Sequence, residues 1–272
     1  MGKVSDLIYD ELIGRGKGIR TAKEWRRWMV RFERCCGEKE RYERGDVISY
    51  LKWMREQGFS QNSINTMLCP VKVLASIQGW TFPKLSMQRV RVSEVNRPVF
   101  SYDEVCDMIR KGKEVLRGRE LAYLAISTVY GLRREELAKL PDKIGDRLRV
   151  ETVKGGVVTE HLIADEIKDY LLEYKPTDVT YMSEIFNNMM RKMGVEVNGK
   201  RFGWHSIRRA LATQLLSADA SFLNITRFMR WSEGTLKAEF GMLTIYVKKD
   251  QELVDRAIFK IHPFLHVWAE KG

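Results

Sequence analysis

The stretch from Trp80 to Val99 constrains the architecture most. Helical periodicity fails across it, Pro83 and Pro98 interrupt it, and Lys84, Arg89, Arg91 and Arg97 make it basic. Proline lacks a backbone donor and its ring clashes with the preceding helical turn, so neither a long helix nor a central strand runs through such a segment. Residues 81–99 therefore read as a linker between a first domain over residues 1–80 and a second over residues 100–272. A chain of 272 residues has room for two such domains, each with its own core.

The first domain is expected to be all helical. Residues 3–13 form a short helix, and Gly14–Arg20 is a basic, glycine-rich turn. Thr21 is the N-cap expected for a helix in which Trp25, Trp28, Met29 and Phe32 fall at i, i+3, i+4 and i+7. Asp46 is the expected cap of a third helix through Arg55, with Val47, Tyr50, Leu51 and Met54 on one face. Ser60 opens a fourth, Gln61 to about Gln78, broken or bent near Pro70 and closed by Gly79.

The second domain mixes helices with a hairpin. Ser101-Tyr102-Asp103-Glu104 is a capping-box pattern leading into Val105–Lys111, and Glu120–Tyr130 is strongly apolar, as a buried helix is. Leu148–Val153 and Val157–Ile163 alternate and are rich in β-branched residues, with Lys154-Gly155-Gly156 between them, which predicts a hairpin. Ala164–Tyr174, Tyr181–Met193, His205–Leu216 and Ser221–Arg230 read as helices, and Gln251–Ala269 as a last helix bent or interrupted at Pro263. The expected fold is mainly α with a small antiparallel β-sheet: a helical domain followed by an α+β domain.

Lys and Arg number 47 against 36 Asp and Glu, a formal charge of +11. Such a balance favours a polyanionic partner, nucleic acid or a membrane surface. No basic amphipathic helix or lipidation signal supports a membrane, the longest apolar stretch, near Leu121–Leu132, is too short to span one, and no apolar leader is evident, so a cytoplasmic protein is expected. Cys35, Cys36, Cys69 and Cys106 form no CxxC, so no zinc site is expected and the four are read as reduced thiols. Lys23, Arg26, Arg27, Arg31 and Arg34 flank the Trp25/Trp28 stripe, either as a DNA-facing surface or as a solvated face.

The chemistry gathers at Trp204–Tyr246. If His205 begins a helix, Arg208 and Arg209 lie three and four residues on, on one cationic face. Tyr246 is the only tyrosine after His205. Arginines, a histidine and a tyrosine suit attack on a phosphodiester. Arg133 follows the buried helix in Gly131-Leu132-Arg133-Arg134-Glu135-Glu136-Leu137, and Lys154 sits at the hairpin turn. Singly, each has an ordinary explanation: a surface ion pair, a turn, a chance His-x-x-Arg.

Together and in this order they resemble the tyrosine recombinase (phage integrase) family over nearly the whole chain. Gly131-Leu132-Arg133-x-x-Glu136-Leu137 is similar to the first arginine motif, Lys154 to the hairpin lysine, and His205-x-x-Arg208, with Ala212-Thr213 downstream, to the second motif. Met229-Arg230-Trp231-Ser232 stands at the third, where the family has Leu-Gly-His/Trp-Ser, and Tyr246 at the nucleophile. Three departures stand out. Arg209 replaces a common second histidine, Arg230 replaces the glycine before Trp231, and the fifteen positions from Trp231 to Tyr246 exceed the usual interval, which marks either a divergent branch, such as archaeal viral or plasmid integrases, or a tyrosine delivered from a neighbouring subunit.

The resemblance implies a core-binding domain, then a catalytic one. It implies a site-specific recombinase or integrase that cleaves DNA through a 3′-phosphotyrosine without metal, ATP or other cofactor. Arg133 and Arg208 would fork onto the non-bridging oxygens, and Tyr246 would attack. His205 would take or relay the phenol proton, Lys154 would protonate the leaving 5′ oxygen, and Trp231 would donate its indole N–H. Glu136 would either orient a site group or form a plain structural ion pair, and Arg89, Arg91 and Arg209 join the candidate DNA contacts. The implied partner is double-stranded DNA, held by a homotetramer. Residues 251–269 would dock on a neighbouring subunit or, alternatively, on their own core. Other readings on this scaffold are an inactive DNA-binding protein and a type IB topoisomerase-like enzyme.

Overall fold

A computed structural model of the chain describes residues 4–85, 98–139, 142–152, 158–196, 202–231 and 250–270. It divides into two compact units, Met1–Asn96 and Arg97–Gly272. It is mainly helical with a small antiparallel sheet. Among the described residues, no helix is long and apolar enough to cross a membrane.

The first unit contains helices α1 (Val4–Gly14), α2 (Ile19–Cys36), α3 (Arg44–Glu56) and α4 (Gln61–Ile77). On α2, Ala22, Met29 and Phe32 are fully buried, while Trp25 and Trp28 pack against the edge of the core. The ring of Phe32 lies 4.8 Å from that of Tyr42 and 5.2 Å from that of Tyr50. Two expected caps are corrected. Helix α2 begins before Thr21, with Gly18 as N-cap, because burying Ala22 draws the first turn into the core. Asp46 is the third residue of α3 rather than its cap, and its Oδ2 accepts the N–H of the cap residue Glu43 at 3.0 Å. A carboxylate there satisfies an orphan donor from inside the helix. Helix α4 runs on through Pro70 to Ile77, and Trp80, Phe82 and Leu85 still pack on this core.

The second unit is built around α6 (Arg119–Tyr130), whose residues from Ala122 to Tyr130 are all buried. Around it lie α5 (Tyr102–Val115), α7 (Arg134–Lys139), α8 (Met182–Lys192), α9 (Trp204–Ser217), α10 (Phe222–Phe228), α11 (Gln251–Phe259) and α12 (Leu265–Ala269). Strands β1 (Asp142–Ile144), β2 (Arg147–Glu151) and β3 (Val158–Leu162) form an antiparallel sheet in that order, with Glu151 opposite Val158 and Arg147 opposite Leu162. A strand of three residues is too short to show alternation, so β1 had no sequence signal.

One further expectation is corrected. Ala164–Tyr174 is not one helix but two 3₁₀ turns, Asp165–Ile167 and Tyr170–Glu173, whose buried anchors are Ile167 and Leu171. Gln251–Ala269 divides into α11 and α12 around Pro263, as the sequence predicts, and the segment packs on its own core. Val254, Ile258, Leu265, Val267 and Trp268 are buried there, leaving Leu253 exposed.

At the break between α11 and α12, buried His262 makes two hydrogen bonds. Its Nε2–H donates to the Val129 carbonyl at 2.9 Å, and its Nδ1 accepts the Phe264 N–H at 3.2 Å. The second bond requires the neutral ring, since a protonated Nδ1 cannot accept, and burial lowers its pKa to about 4. Above pH 6.5 both folded and unfolded states are neutral at this site and nothing is lost. As pH falls from 6.5 to 4, the unfolded chain takes a proton that the folded one refuses, so stability drops by about 1.4 kcal/mol per pH unit. His262→Gln, which offers the same donor and acceptor without titrating, is expected to flatten that part of the decline. Urea midpoints at pH 7, 5.5 and 4.5 measure it; an unchanged slope in the variant would refute the assignment.

Candidate active site

The site begins where α6 ends. Gly131 closes the helix in the left-handed region (φ +56°), its N–H donating to the Ser127 carbonyl at 3.1 Å. A Cβ there would lie 2.9 Å from Met229 Cε and 3.1 Å from Leu211 Cδ2, so the turn requires glycine twice over. That turn delivers Arg133 to the start of α7. Its backbone N–H donates to Glu136 Oε2 at 2.9 Å and its Nη1 to Glu136 Oε1 at 2.6 Å. Glu136 is buried, whereas the Arg133 side chain keeps 21% of its surface. Burial alone would raise the Glu136 pKa, but Arg230, and then the backbone N–H and guanidinium of Arg133, outweigh it and hold the carboxyl below its ordinary value.

Helix α9 supplies the second cation. Its first turn is fixed by Trp204, whose indole N–H donates to the Met182 carbonyl at 2.8 Å. One turn on, Arg208 is buried and forks across two chain segments, donating from Nη1 to the Gly131 carbonyl and from Nη2 to the Met229 carbonyl. These are partial charges, and no carboxylate hydrogen-bonds it among the described residues. Burial first, then Arg230 and Arg133, push its pKa well below the ordinary guanidinium value, with Glu136 opposing. An oxyanion beside it would relieve that repulsion.

His205 stands exposed on the same helix. Partial desolvation, then the charges of Arg208, Arg209, Arg133 and Arg134, lower its pKa. It is therefore neutral at physiological pH and able to accept a proton. Arg209 is half-buried and already engaged: Nε donates to the His205 carbonyl at 3.1 Å and Nη1 to the Pro98 carbonyl at 3.1 Å.

The third segment follows α10. The Trp231 N–H bonds to the Thr226 carbonyl at 2.9 Å, turning the chain at Arg230, which takes φ +53°. Trp231 is half-buried, its ring 6.2 Å from that of Phe222. Arg230 was visible in the sequence only as a departure from glycine. Its side chain lies wholly within the protein, between Glu136, His161 and the Tyr130 carbonyl. His161 on β3 and Asp255 on α11 are 2.9 Å apart and equally buried. An alternating strand and an amphipathic helix gave no reason to single them out.

Arg133, Glu136, Arg208, Arg230 and Trp231 are thus brought together, with His205 one turn from Arg208. Lys154, Tyr246, Arg89 and Arg91 lie outside the described residues. In the first unit Lys23, Arg31 and Arg34 are exposed, while Arg26 pairs with Asp6 at 2.6 Å and Arg27 with Glu24 at 3.6 Å. No group of three His, Cys, Asp or Glu side chains that could hold a metal ion occurs among the described residues.

No protein-family model and no curated protein matches the sequence. Solved structures do. A lambda integrase dimer bound to a COC′ core site is similar at a TM-score of 0.68 and 16% identity, covering 85% of this chain and 95% of that one. A lambda integrase tetramer bound to a Holliday junction has a TM-score of 0.64 at 16% identity, covering 83% and 75%. The XerH site-specific recombinase bound to its difH substrate, in a pre-cleavage complex, has 0.60 at 12%, covering 90% and 81%. These are tyrosine recombinases, and at such identities the likeness is one of fold: the chain has the integrase-like fold.

Proposed function

We propose that this protein is a site-specific DNA recombinase that cuts and rejoins strands through a tyrosine. The observation that carries the reading is the convergence of Arg133 and Arg208 from distant segments into one cationic site. Arg208 bonds the turn preceding Arg133 and also the Met229 carbonyl, and Arg133 Nη2 reaches the Arg230 carbonyl at 3.3 Å. Three guanidiniums (Arg133, Arg208, Arg230) stand against two carboxylates (Glu136, Asp255), and Arg134 and Arg209 add further positive charge near His205. A phosphodiester carries one negative charge. The charge that builds on it in a five-coordinate transition state is stabilised by donors already in place.

In this mechanism the Tyr246 oxygen attacks phosphorus. The P–O bond to the 5′ oxygen breaks, leaving a 3′-phosphotyrosine and, once protonated, a 5′-hydroxyl. Neutral His205 takes or relays the phenol proton and Lys154 supplies one to the leaving oxygen. Trp231 packs against the phosphate and offers its N–H. A 5′-hydroxyl from a second duplex reverses the step, so the bond energy is conserved in the covalent link and neither ATP nor a metal is required.

The helical unit adds phosphate contacts of its own. Lys23, Arg31 and Arg34 on α2 are available to phosphates, and Arg26 and Arg27 would exchange their carboxylates for them. Solved relatives of this fold are a dimer on a core site and a tetramer on a Holliday junction, which supports a DNA-bound tetramer here.

The test is a nicked suicide duplex carrying the attachment site of the host element. The native protein is expected to form an adduct that survives a denaturing gel, and then to exchange strands between two duplexes. Binding without an adduct would leave a DNA-binding protein on this scaffold. An adduct with relaxation of a single duplex but no exchange would make it a topoisomerase.

A further inference from the structure

The mechanism above gives Arg230 and its buried neighbours no task. A residue with a Cβ rarely adopts φ +53°, so the chain accepts backbone strain at Arg230. A buried guanidinium also has to find partners for its donors. Arg230 Nη1 donates to His161 Nε2 at 2.7 Å and to the Phe228 carbonyl at 3.0 Å. Nη2 donates to the Tyr130 carbonyl at 3.0 Å and stands 3.6 Å from Glu136 Oε2.

These contacts fix a tautomer. A guanidinium has no acceptor, so His161 Nε2 is the bare nitrogen and Nδ1 carries the hydrogen. Nδ1–H then donates to Asp255 Oδ1 at 2.9 Å. The same carboxylate accepts the Leu162 N–H at 2.7 Å and Gln251 Nε2 at 2.8 Å, which settles its orientation. Burial lowers the His161 pKa against the pull of Asp255, in keeping with a neutral ring.

We propose that Arg230, His161 and Asp255 form a positioning relay that sets Glu136, and through it Arg133, in the geometry that grips phosphate. The inference rests on the reading of Arg133 as a phosphate ligand. Glu136 has two oxygens to share. Oε1 takes the Arg133 guanidinium, while Oε2 takes the Arg133 backbone N–H and faces Arg230. The carbonyl of Arg230 accepts Arg133 Nη2, so Arg230 touches the first arginine through its backbone and, by way of Glu136, through its side chain. The far end of the relay is on α11, the helix that follows Tyr246 in sequence. Seating α11 and orienting Arg133 are therefore one event.

The relay is tested by two independent readouts on Arg230→Lys, Arg230→Gln and Asp255→Asn. In single-turnover cleavage of the suicide duplex, Arg230→Gln and Asp255→Asn are expected to slow adduct formation about 10- to 100-fold, as loss of an orienting partner does at other sites, with DNA affinity unchanged. Arg230→Lys should recover part of the rate. In the free protein, the ring resonances of His205, assigned through His205→Gln, sense Arg133 as one of the charges, after Arg208 and Arg209, that lower its pKa. Releasing Arg133 should move the His205 midpoint upward.

A purely structural role predicts rates that track thermal stability and a His205 midpoint that stays put; that result overturns the relay. If the wild type forms no adduct but the midpoint still moves, the catalytic reading falls while the relay stands. Should Arg230→Gln not fold, Asp255→Asn preserves size and shape and reads the same two quantities.

Discussion

Tyr246→Phe is expected to abolish the covalent DNA adduct while leaving DNA binding and its salt dependence intact. The substitution removes one oxygen, and that oxygen is the proposed nucleophile. Arg133, Arg208 and His205 supply charge and proton transfer, but none can form a stable phosphodiester link in its place. The loss should therefore be complete on a denaturing gel. Binding should persist because affinity comes from phosphate contacts spread along the protein, which release counterions and give a steep, linear fall of log K with log salt. An adduct surviving in Tyr246→Phe would move the nucleophile elsewhere. Loss of binding in parallel with the adduct would show the phenol to be a structural group. The fifteen positions between Trp231 and Tyr246 make this the prediction with most at stake, since a longer tether allows the phenol to act within its own subunit or across to another. Mixing Tyr246→Phe protein with Arg208→Gln protein separates the two: restored adduct means delivery to a neighbour's site.

Arg208→Gln is expected to lower the cleavage rate by about 10³-fold or more without lowering the thermal midpoint. The rate loss follows from removing a fixed cation aimed at a phosphoryl group. The stability half runs against the usual rule that mutating a buried, hydrogen-bonded residue destabilises. Arg208 is buried beside Arg230 and Arg133, and these effects push its pKa far down, so the folded state disfavours its charge. Glutamine removes that penalty and keeps an N–H to offer the carbonyl of Gly131 or Met229. The carbonyl left unpaired costs about 1–3 kcal/mol. Against it stands the removal of a guanidinium that burial, and then Arg230 and Arg133, disfavour, so the midpoint is expected to hold. Differential scanning calorimetry beside single-turnover cleavage decides it. A midpoint that falls by several degrees would show Arg208 to be a structural tie first. A higher midpoint with a dead enzyme is the signature of a site held in readiness for an anion.

Local pattern carried a good part of the fold. The stripe of Met29 and Phe32, the capping box at Ser101 and the apolar run to Tyr130 each obey a rule that operates within one or two turns, and each became the element expected. Expectations failed where a non-local contact overrode the local one. Burial of Ala22 moved the start of α2, and Ile167 and Leu171 held only 3₁₀ turns.

The site divides along the same line. The amino-acid sequence by itself singled out the residues proposed to carry the chemistry: the glycine that lets Arg133 follow the buried helix, the one-turn spacing of His205 and Arg208, and a single downstream tyrosine. These are matters of residue type and short spacing. Tertiary structure alone decided how charge is distributed among them. Arg230 meets His161 across 69 positions and His161 meets Asp255 across 94, far beyond any helical or strand period. Whether an arginine is a surface ion pair or a buried cation short of anions depends on what surrounds it, and desolvation is a property of packing that no local pattern encodes.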